Sequence, residues 1–306
     1  MELKMSDYSE KLRGTVLMVT ACAFFCVMAS LVKLAAHVDA FKIGLWRFVI
    51  GMVILGLAAF VGGIQLQFHN WKLLFIRGFF GGAGIMMEYF AIVNLGISKT
   101  MVLIATYPIF AYIFEILLLK EKPSVTATII IMLALTGIYL VIEGKNGGTG
   151  IFESFGFYEM LAMGVAVMSG IVVVTMRKLH ETDSSYAIYF SQCVIGFWIA
   201  AIPSIAGAGP ACFADGLILV LIGITAAAGQ LLMTQSYKYL PVRVGSTLAI
   251  LEPLFCYVAG VAIFGEPVSG KSILGTLLII GSCAAMVLYG SPVHLLRNVL
   301  KKTPIN

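Results

Sequence analysis

The sequence is poor in charged residues and rich in apolar ones. Asp, Glu, Lys and Arg make up 11% of its 306 residues, whereas hydrophobic residues make up 60%. A soluble domain usually carries about 25% charged residues. Because a single soluble core could not bury so much apolar surface, we expect lipid to solvate most of it. The low charge therefore excludes an ordinary soluble globular domain.

The groups on which most enzymes depend are also scarce. The chain has four histidines, and all of them fall in predicted loops or in the C-terminal tail. The sequence has no His-Glu metal motif or Ser-His set within its apolar runs, and no phosphate-binding glycine loop ending in Lys-Ser or Lys-Thr. Five of the six cysteines lie in apolar runs, where inert buried thiols are the usual outcome. We therefore expect no enzyme activity, no cofactor, no metal and no direct use of ATP.

What the sequence does contain is a series of apolar runs of about 20 residues, the length that crosses a bilayer. Ten runs are found, at 14–36, 41–62, 71–94, 98–119, 123–142, 157–176, 184–206, 215–237, 243–264 and 268–290. They form two blocks, 14–142 and 157–290, joined by a linker at 143–156 and flanked by tails at 1–13 and 291–306. The predicted fold class is an all-α polytopic membrane protein with ten transmembrane helices.

The basic residues indicate membrane topology rather than a nucleic-acid site. The net charge is +5. With the N-terminus inside, fourteen of the 20 Lys and Arg residues, Lys72 and Arg77 among them, fall at inner loops and helix ends. The positive-inside rule then places both termini in the cytoplasm. We expect a multi-pass protein of the cell (inner) membrane, a monomer or a homodimer, whose partners are lipid, a small-molecule substrate and, as a candidate coupling ion, protons.

The two blocks repeat one another at an offset of 145 residues. YPIFAYIFEILLLKE at 107–121 aligns with EPLFCYVAGVAIFGE at 252–266, and the register continues without a gap, so that 49–51 and 194–196 both read Val-Ile-Gly. Because five spans is an odd number, the second block must enter the membrane inverted. Inverted repeats are typical of transporters whose halves alternately expose a central site.

Two segments carry a resemblance to a known family. LEPLFCYVAGVAIFGEP, residues 251–267, and RGFFGGAGIMMEYFAI, residues 77–92, are similar to the ninth-span and third-span patterns of EamA-type proteins in the drug/metabolite transporter superfamily. The resemblance implies two five-span repeats and a substrate cavity built mostly by spans 1, 3, 4, 6, 8 and 9. It also implies transport of small metabolites, including amino acids, nucleotide-like compounds, choline-like cations, S-adenosylmethionine and drugs.

The Glu252-Pro253 pair lies near the middle of the ninth span. A carboxyl at that depth is costly, so Glu252 should face a cavity, pair with a cation or stay protonated. It is interpreted as a proton carrier or a contact for a cationic substrate, or else as a structural acid that bonds backbone donors near the proline. Pro253 and its counterpart Pro108 lack an N–H and clash with the preceding turn, which predicts bends in spans four and nine.

A second set of candidate residues lies in the other spans. Arg47 and Glu88 share a depth near the outer side, where they could form a gate, bind both ends of a zwitterion, or make a fixed structural pair. Glu121 and Glu266 close their spans and are interpreted as boundary or capping groups. The remaining candidates for substrate binding or coupling are Tyr89, Asn94, Tyr107, Tyr112, Gln230, Thr234 and Tyr257. An aromatic-lined pocket would suit a flat or cationic solute, although such side chains also serve for packing.

The predicted function is secondary active transport by alternating access. The substrate would be a small metabolite, amino-acid-like or cationic, with protons as the candidate coupling ion. One alternative is a scaffold or receptor that moves nothing. Another is a facilitative channel-like permease, which would more naturally show a repeated filter or a ring of charge.

Overall fold

The computed structural model describes residues 2–35, 37–95, 100, 103–145, 156–205, 209–210, 212–264 and 269–289. Most of the predicted linker 143–156, all of the predicted tail 291–306 and Glu266 lie outside these residues. Eleven helices follow one another in the described part of the chain. They are α1 (Glu2–Leu34), α2 (Ala40–Phe60), α3 (Trp71–Leu95), α4 (Tyr107–Leu119), α5 (Val125–Lys145), α6 (Phe157–Leu179), α7 (Ser185–Ser204), α8 (Phe213–Tyr239), α9 (Val242–Leu248), α10 (Leu251–Phe264) and α11 (Gly270–Tyr289).

The ten predicted spans all correspond to apolar helices. Eight segments are long and apolar enough to cross a bilayer, and two shorter apolar helices, Tyr107–Leu119 and Val125–Val141, supply the others. The predicted all-α polytopic fold is therefore confirmed. Helix α1 begins at Glu2, so helical structure continues through the predicted tail 1–13, while its apolar part covers Ser9–Leu34.

The ninth predicted span, 243–264, is not one continuous helix. A turn at 249–250 divides it into α9 and α10, and a turn at 105–106, one residue later in the repeat register, precedes α4. Each helix that follows carries a proline in its first turn, Pro108 in α4 and Pro253 in α10. Proline fits there because a first-turn N–H has no partner in its own helix. The same ring prevents the preceding turn from continuing as regular helix.

The helices of the two halves pack in pairs related by the 145-residue offset. Two helices pack against their own counterparts, α2 against α7 and α5 against α11, and α4 of the fourth span packs against α9 of the ninth span. Helix α1 packs against α8 in the same way that α6 packs against α3. The largest cluster of buried apolar side chains draws on both halves. This pattern is that of a twofold pseudo-symmetry axis between the halves.

The crossing of α2 and α7 shows the pseudo-twofold symmetry at the level of single residues. A Cβ added to Gly51 would lie 2.7 Å from Sγ of Cys193, and one added to Gly196 would lie 2.5 Å from Cζ of Phe48. Gly51 and Gly196 are repeat counterparts, and so are Phe48 and Cys193. The two helices therefore make equivalent close contacts at one crossing point, and the glycine of each helix permits the close approach.

Candidate functional site

A cavity of about 170 Å³ lies between the two halves. The described residues that line it come from every span except the fifth and the tenth. Six of them have charged or amide side chains: Arg47, Arg77, Glu88, Gln192, Gln230 and Glu252. The family resemblance implied walls from spans 1, 3, 4, 6, 8 and 9, and the structure adds the second and seventh spans through Arg47 and Gln192.

The cavity lies on the pseudo-twofold axis. Five pairs of repeat counterparts line it: Arg47 and Gln192, Ile85 and Gln230, Glu88 and Met233, Ile104 and Ala249, and Tyr107 and Glu252. The two halves thus contribute equivalent positions to one wall. At three of these five pairs, however, a charged residue in one half corresponds to an uncharged residue in the other.

Tyr107 and Glu252 lie where the two interrupted helices resume. Tyr107 is the first residue of α4 and Glu252 is the second residue of α10. The Tyr107 hydroxyl donates to the carbonyl oxygen of Ser246 in α9 at 3.3 Å, which joins the interrupted spans of the two halves. The free N–H groups in the first turn of a helix favour a negative charge. The interruption therefore places Glu252 in the first turn of a helix, which a continuous span would not do.

Arg47 connects α2 to α8 across the cavity wall. Its side chain is buried, and Nη2 donates to Oε1 of Gln230 at 3.3 Å. The sequence suggested an ion pair between Arg47 and Glu88, but among the described residues no ion pair joins them. The reason is the packing, since α2 contacts α8 more extensively than it contacts α3. Arg47 thus bonds to a neutral amide and keeps its full charge toward the cavity.

Arg77 connects α3 to α7 by a comparable bond. It is fully buried, and Nη2 donates to Oε1 of Gln192 at 2.9 Å. Its Nε and Nη1 have no hydrogen-bond partner within the described residues. Arg77 was predicted to lie among the charges of the inner loops and helix ends, and the structure corrects that assignment. Gly81, one turn further along α3, leaves the space that the guanidinium fills, because a Cβ there would strike Nη1.

Glu88 and Glu252 are the two acidic groups in the cavity wall. Both side chains are half-buried. In the part of the chain that the structure describes, neither forms a side-chain hydrogen bond or an ion pair. Two carboxyl groups and one of the two guanidinium groups of the cavity therefore keep hydrogen-bonding capacity that the described residues do not use.

Five of the ten predicted binding or coupling residues line the cavity, and the other five lie elsewhere. Asn94 is exposed and donates to the carbonyl one turn earlier in α3 at 2.8 Å. The Tyr112 hydroxyl donates to a carbonyl of the α4–α5 loop at 3.0 Å, and Thr234, fully buried, donates to a carbonyl of its own helix at 2.7 Å. Tyr89 and Tyr257 have buried hydroxyl groups outside the cavity wall. Contacts within the bundle thus engage at least Asn94, Tyr112 and Thr234.

Three polar wall residues were not predicted: Arg77, Ser169 and Gln192. Gln192 could have been found, because it is the repeat counterpart of Arg47. Arg77 stands as far into its predicted span, 71–94, as Arg47 stands into 41–62, and the following glycines leave room beside it. Ser169 carries no comparable signal, since serine is frequent on helix faces that only pack.

Contacts join the two halves near both faces of the bundle. On the face where α1 begins, Asp183 accepts hydrogen bonds from the N–H groups of His69 at 2.7 Å and Asn70 at 3.3 Å. On the opposite face, Nε2 of His37 lies 3.0 Å from Oδ2 of Asp215. Asn70 and Asp215 are repeat counterparts. The two faces are thus joined at equivalent places by different chemistry.

His180 joins two helices of the second half near the face where α1 begins. It follows the last residue of α6, and its Nε2 donates to the carbonyl oxygen of Thr234 in α8 at 2.7 Å. Burial, and to a lesser degree the charges of Arg177 and Lys238, lower the pKa of His180 to about 4, although the bond to Thr234 opposes that shift. His180 is therefore a neutral donor near pH 7. Predicted capping residue Glu121 lies on the same face, 3.8 Å from Arg243.

Comparison with known proteins gives matches to transporters along nearly the whole chain. The solute carrier family 35 member G1 of Mus musculus is 24% identical over 282 residues, which cover 86% of this chain and 75% of that protein. The pseudopaline exporter CntI of Pseudomonas aeruginosa is 23% identical over 276 residues, which cover 89% of this chain and 95% of the exporter. A solved crystal structure shares the fold, with a TM-score of 0.78 at 18% identity over 92% of this chain and 98% of the other.

A family model matches the chain twice, once in each half. The matched residues are 12–143 and 156–288, and the family is described as the EamA-like transporter family. The double match agrees with the repeat read from the sequence and with the paired packing of the helices. The chain therefore belongs to the EamA-like transporter family.

Proposed function

We propose that this membrane transporter is a secondary carrier of a small amino-acid-like or cationic metabolite, which works by alternating access and is coupled to protons through Glu252. The substrate binds in the central cavity, and both termini lie in the cytoplasm. The face where α1 begins is then the cytoplasmic face, in line with the excess of Lys and Arg there.

One observation carries the proposal, namely a charged cavity on the axis between two inverted halves. Arg47, Arg77, Glu88 and Glu252 all line it. An ionised side chain in the membrane interior costs about 2.5–3.5 kcal/mol on insertion scales, and such residues usually serve an ion or substrate path. Because the cavity lies on the axis, rocking one half against the other would open it toward either face.

The contacts between the halves at the two faces support the same motion. Asp183 holds one face and the His37–Asp215 pair joins the other, at places related by the repeat. Either set can break while the other holds, as alternation requires. Each face then acts as the hinge for opening at the opposite face.

Glu252 is the group best suited to coupling. It lies in the cavity wall at a helix interruption, and within the described residues its side chain has no partner. A carboxyl that binds either a proton or the cationic group of a substrate, but not both at once, couples the movement of protons to movement of the substrate in the opposite direction. One relative is named as an exporter, and export driven by proton entry fits that order of binding.

The test is transport by the purified full-length protein in proteoliposomes with an imposed pH gradient. The probe is a mixture of the twenty protein amino acids, choline and putrescine, followed by mass spectrometry. We expect at least one component to accumulate with saturation, and we expect Glu252→Gln to abolish accumulation driven by the pH gradient. Glu181→Gln, which changes an exposed acid in the α6–α7 loop, is the matched control and should accumulate normally.

Three results would count against the proposal in different ways. Normal proton-driven accumulation by Glu252→Gln would remove Glu252 from coupling. Flux that does not saturate would favour a channel-like permease. If no component moves faster than it does in empty liposomes, transport of amino-acid-like or cationic solutes is wrong.

A further inference from the structure

The direction of the Arg77 side chain is unusual for its position. Arg77 is six residues past Trp71, the first residue of α3, or about 9 Å along the helix axis. A long basic side chain near a helix end usually extends back to the interface, where water solvates its charge. The Arg77 guanidinium instead lies beside Gly81, about 6 Å further along the axis toward the membrane interior. The charged group thus lies in the cavity wall rather than at the nearby aqueous interface.

The protein satisfies this charge only in part. One nitrogen, Nη2, donates to Gln192, while Nε and Nη1 are buried with no partner in the described residues. Nη2 has a second N–H, which together with the N–H of Nε or of Nη1 forms a fork that matches the two oxygens of a carboxylate or phosphate. Gln192 is neutral, so it orients the guanidinium without cancelling its charge. Buried guanidinium groups are normally paired, because an unpaired buried charge is strongly destabilising.

The acids that could have paired with Arg77 are elsewhere in the cavity wall. Glu88 is seven residues beyond Gly81, at whose level the guanidinium lies, or about 10 Å further along the axis. No ion pair connects Arg77 to Glu88 or to Glu252 within the described part of the chain. Separate basic and acidic groups that do not pair with each other form a site for a solute that carries both charges.

We propose that Arg77, oriented by Gln192, forms the subsite that binds the carboxylate of the transported solute. This rests on the transport function proposed above and narrows it, because a simple cation without an acidic group is then not a substrate. The solute is amphoteric, with its acid at Arg77 and its ammonium group toward Glu88 or Glu252. The cavity of about 170 Å³ is smaller than the roughly 300–1,000 Å³ of drug-sized sites, which favours a small carboxylic acid over a nucleotide.

Matched acids and amides test this subsite by binding rather than by flux. The full-length protein in nanodiscs is equilibrated with the twenty protein amino acids, the twenty dipeptides with N-terminal glycine, and the C-terminal amides of all forty. Bound compounds are identified by mass spectrometry. We expect the wild type to retain at least one acid tenfold or more over its amide. Arg77→Met should lose this preference, and Arg77→Lys should keep a weaker one, because an ammonium group lacks the rigid planar fork of parallel N–H donors that a guanidinium has.

Two controls separate binding from folding. Lys72→Met removes an exposed basic residue from the same helix and should bind as the wild type does. Ligand-free Arg77→Met should melt at or above the wild-type temperature, since it removes a buried charge that is only partly satisfied by hydrogen bonds. A large drop in melting temperature would instead mean that Arg77 supports the fold.

The proposal is overturned if the wild type binds amides as well as acids, if Arg77→Met keeps the acid preference, or if no compound is bound at all. If Arg77→Met does not fold, the wild-type preference and Arg77→Lys still decide. Saturable flux of solutes without an acidic group would leave transport intact and remove only this subsite. Absence of any flux would instead count against the transport function itself.

Discussion

Corresponding positions in the two halves make different contributions to the cavity. The charged residues of the first half, Arg47, Arg77 and Glu88, have the uncharged counterparts Gln192, Ile222 and Met233. The single charged wall residue of the second half, Glu252, has Tyr107 as its counterpart. In contrast, the glycine contacts where α2 crosses α7 and the helix interruptions before Pro108 and Pro253 occur in both halves.

This difference separates two requirements of a carrier. Exchange between a cavity open to one face and a cavity open to the other requires that the backbones of the two halves can adopt each other's conformation. The features that both halves share are features of the backbone. Recognition of an asymmetric solute needs a wall whose two sides differ, and the unrepeated features are side-chain charges. The two arginine–glutamine bonds illustrate this point. Arg47 in span two of the first half is the arginine of one bond. The equivalent residue of the second half, Gln192 in span seven, is the glutamine of the other bond.

The largest effect on transport is expected when the two halves are made alike at one position of the cavity wall. Arg47→Gln gives position 47 the side chain of its counterpart Gln192 and removes a charge-assisted bond to Gln230. Such bonds contribute about 1.5–3 kcal/mol, so we expect initial uptake in proteoliposomes to fall about tenfold or more. The exchange Arg47→Gln/Gln192→Arg should not restore it, because the new arginine stands beside Arg77. Wild-type uptake by the exchange variant would mean that the halves are interchangeable.

Filling the shared crossing point should destabilise the fold equally from either half. Gly51→Val and Gly196→Val place atoms against Cys193 and Phe48, and overpacking of this kind costs about 1–3 kcal/mol. Unfolding in mixed micelles should show similar losses for both. Gly56→Val, on the same helix as Gly51 but with open space around its Cβ, should lose much less. Unequal losses at Gly51 and Gly196 would argue against an axis at this point.

Removing either proline should slow the conformational exchange by a similar, few-fold factor. Pro108→Ala and Pro253→Ala restore an N–H and remove the ring that blocks the preceding turn. Helix can then form across 105–106 or 249–250, which favours one conformation over the other. Single-molecule fluorescence between labels on the two halves measures the rate. Rates equal to that of the wild type would show that the interruptions are not hinges.

The smallest predicted effect concerns the pH dependence of one face. Burial, together with Arg177 and Lys238, holds the pKa of His180 at about 4, below the unfolded value of about 6.5. The unfolded chain therefore binds this proton first, and stability falls as the pH drops from 6.5 toward 4. His180→Gln, which keeps an N–H donor but does not titrate, should show a smaller fall in melting temperature. An equal fall in both would assign it to other groups.

The sequence could predict the fold because two periodicities coincide in it. Apolar runs of bilayer length defined the spans, and the 145-residue repeat defined the halves, since Pro108 and Pro253 are scarce residues at matching places. It could not predict that 243–264 breaks at 249–250 rather than bends at Pro253. The ring acts on the turn before it, so the interruption falls three or four residues upstream.

The site was only partly predictable because sequence gives the depth of a residue better than its direction. Glu252, Glu88 and Arg47 were recognised by charge within a span. Arg77 is just as deep but was assigned to the interface, because whether a long side chain turns outward or inward depends on Gly81 and Gln192 beside it. Tyr112 and Thr234 seemed suitable by chemistry, yet their hydroxyls bond to backbone carbonyls that only the fold brings near.

Accessibility of the cavity from both faces is the most direct measurement. Ser169 on α6 lines the cavity, and Ser169→Cys in a background without the six native cysteines gives a single reactive thiol. A charged methanethiosulfonate reagent is applied to sealed vesicles from the outside, and separately from the inside. We expect modification from both sides, at rates that depend on which face is open. Modification from one side alone, or from neither, would contradict alternating access through this cavity.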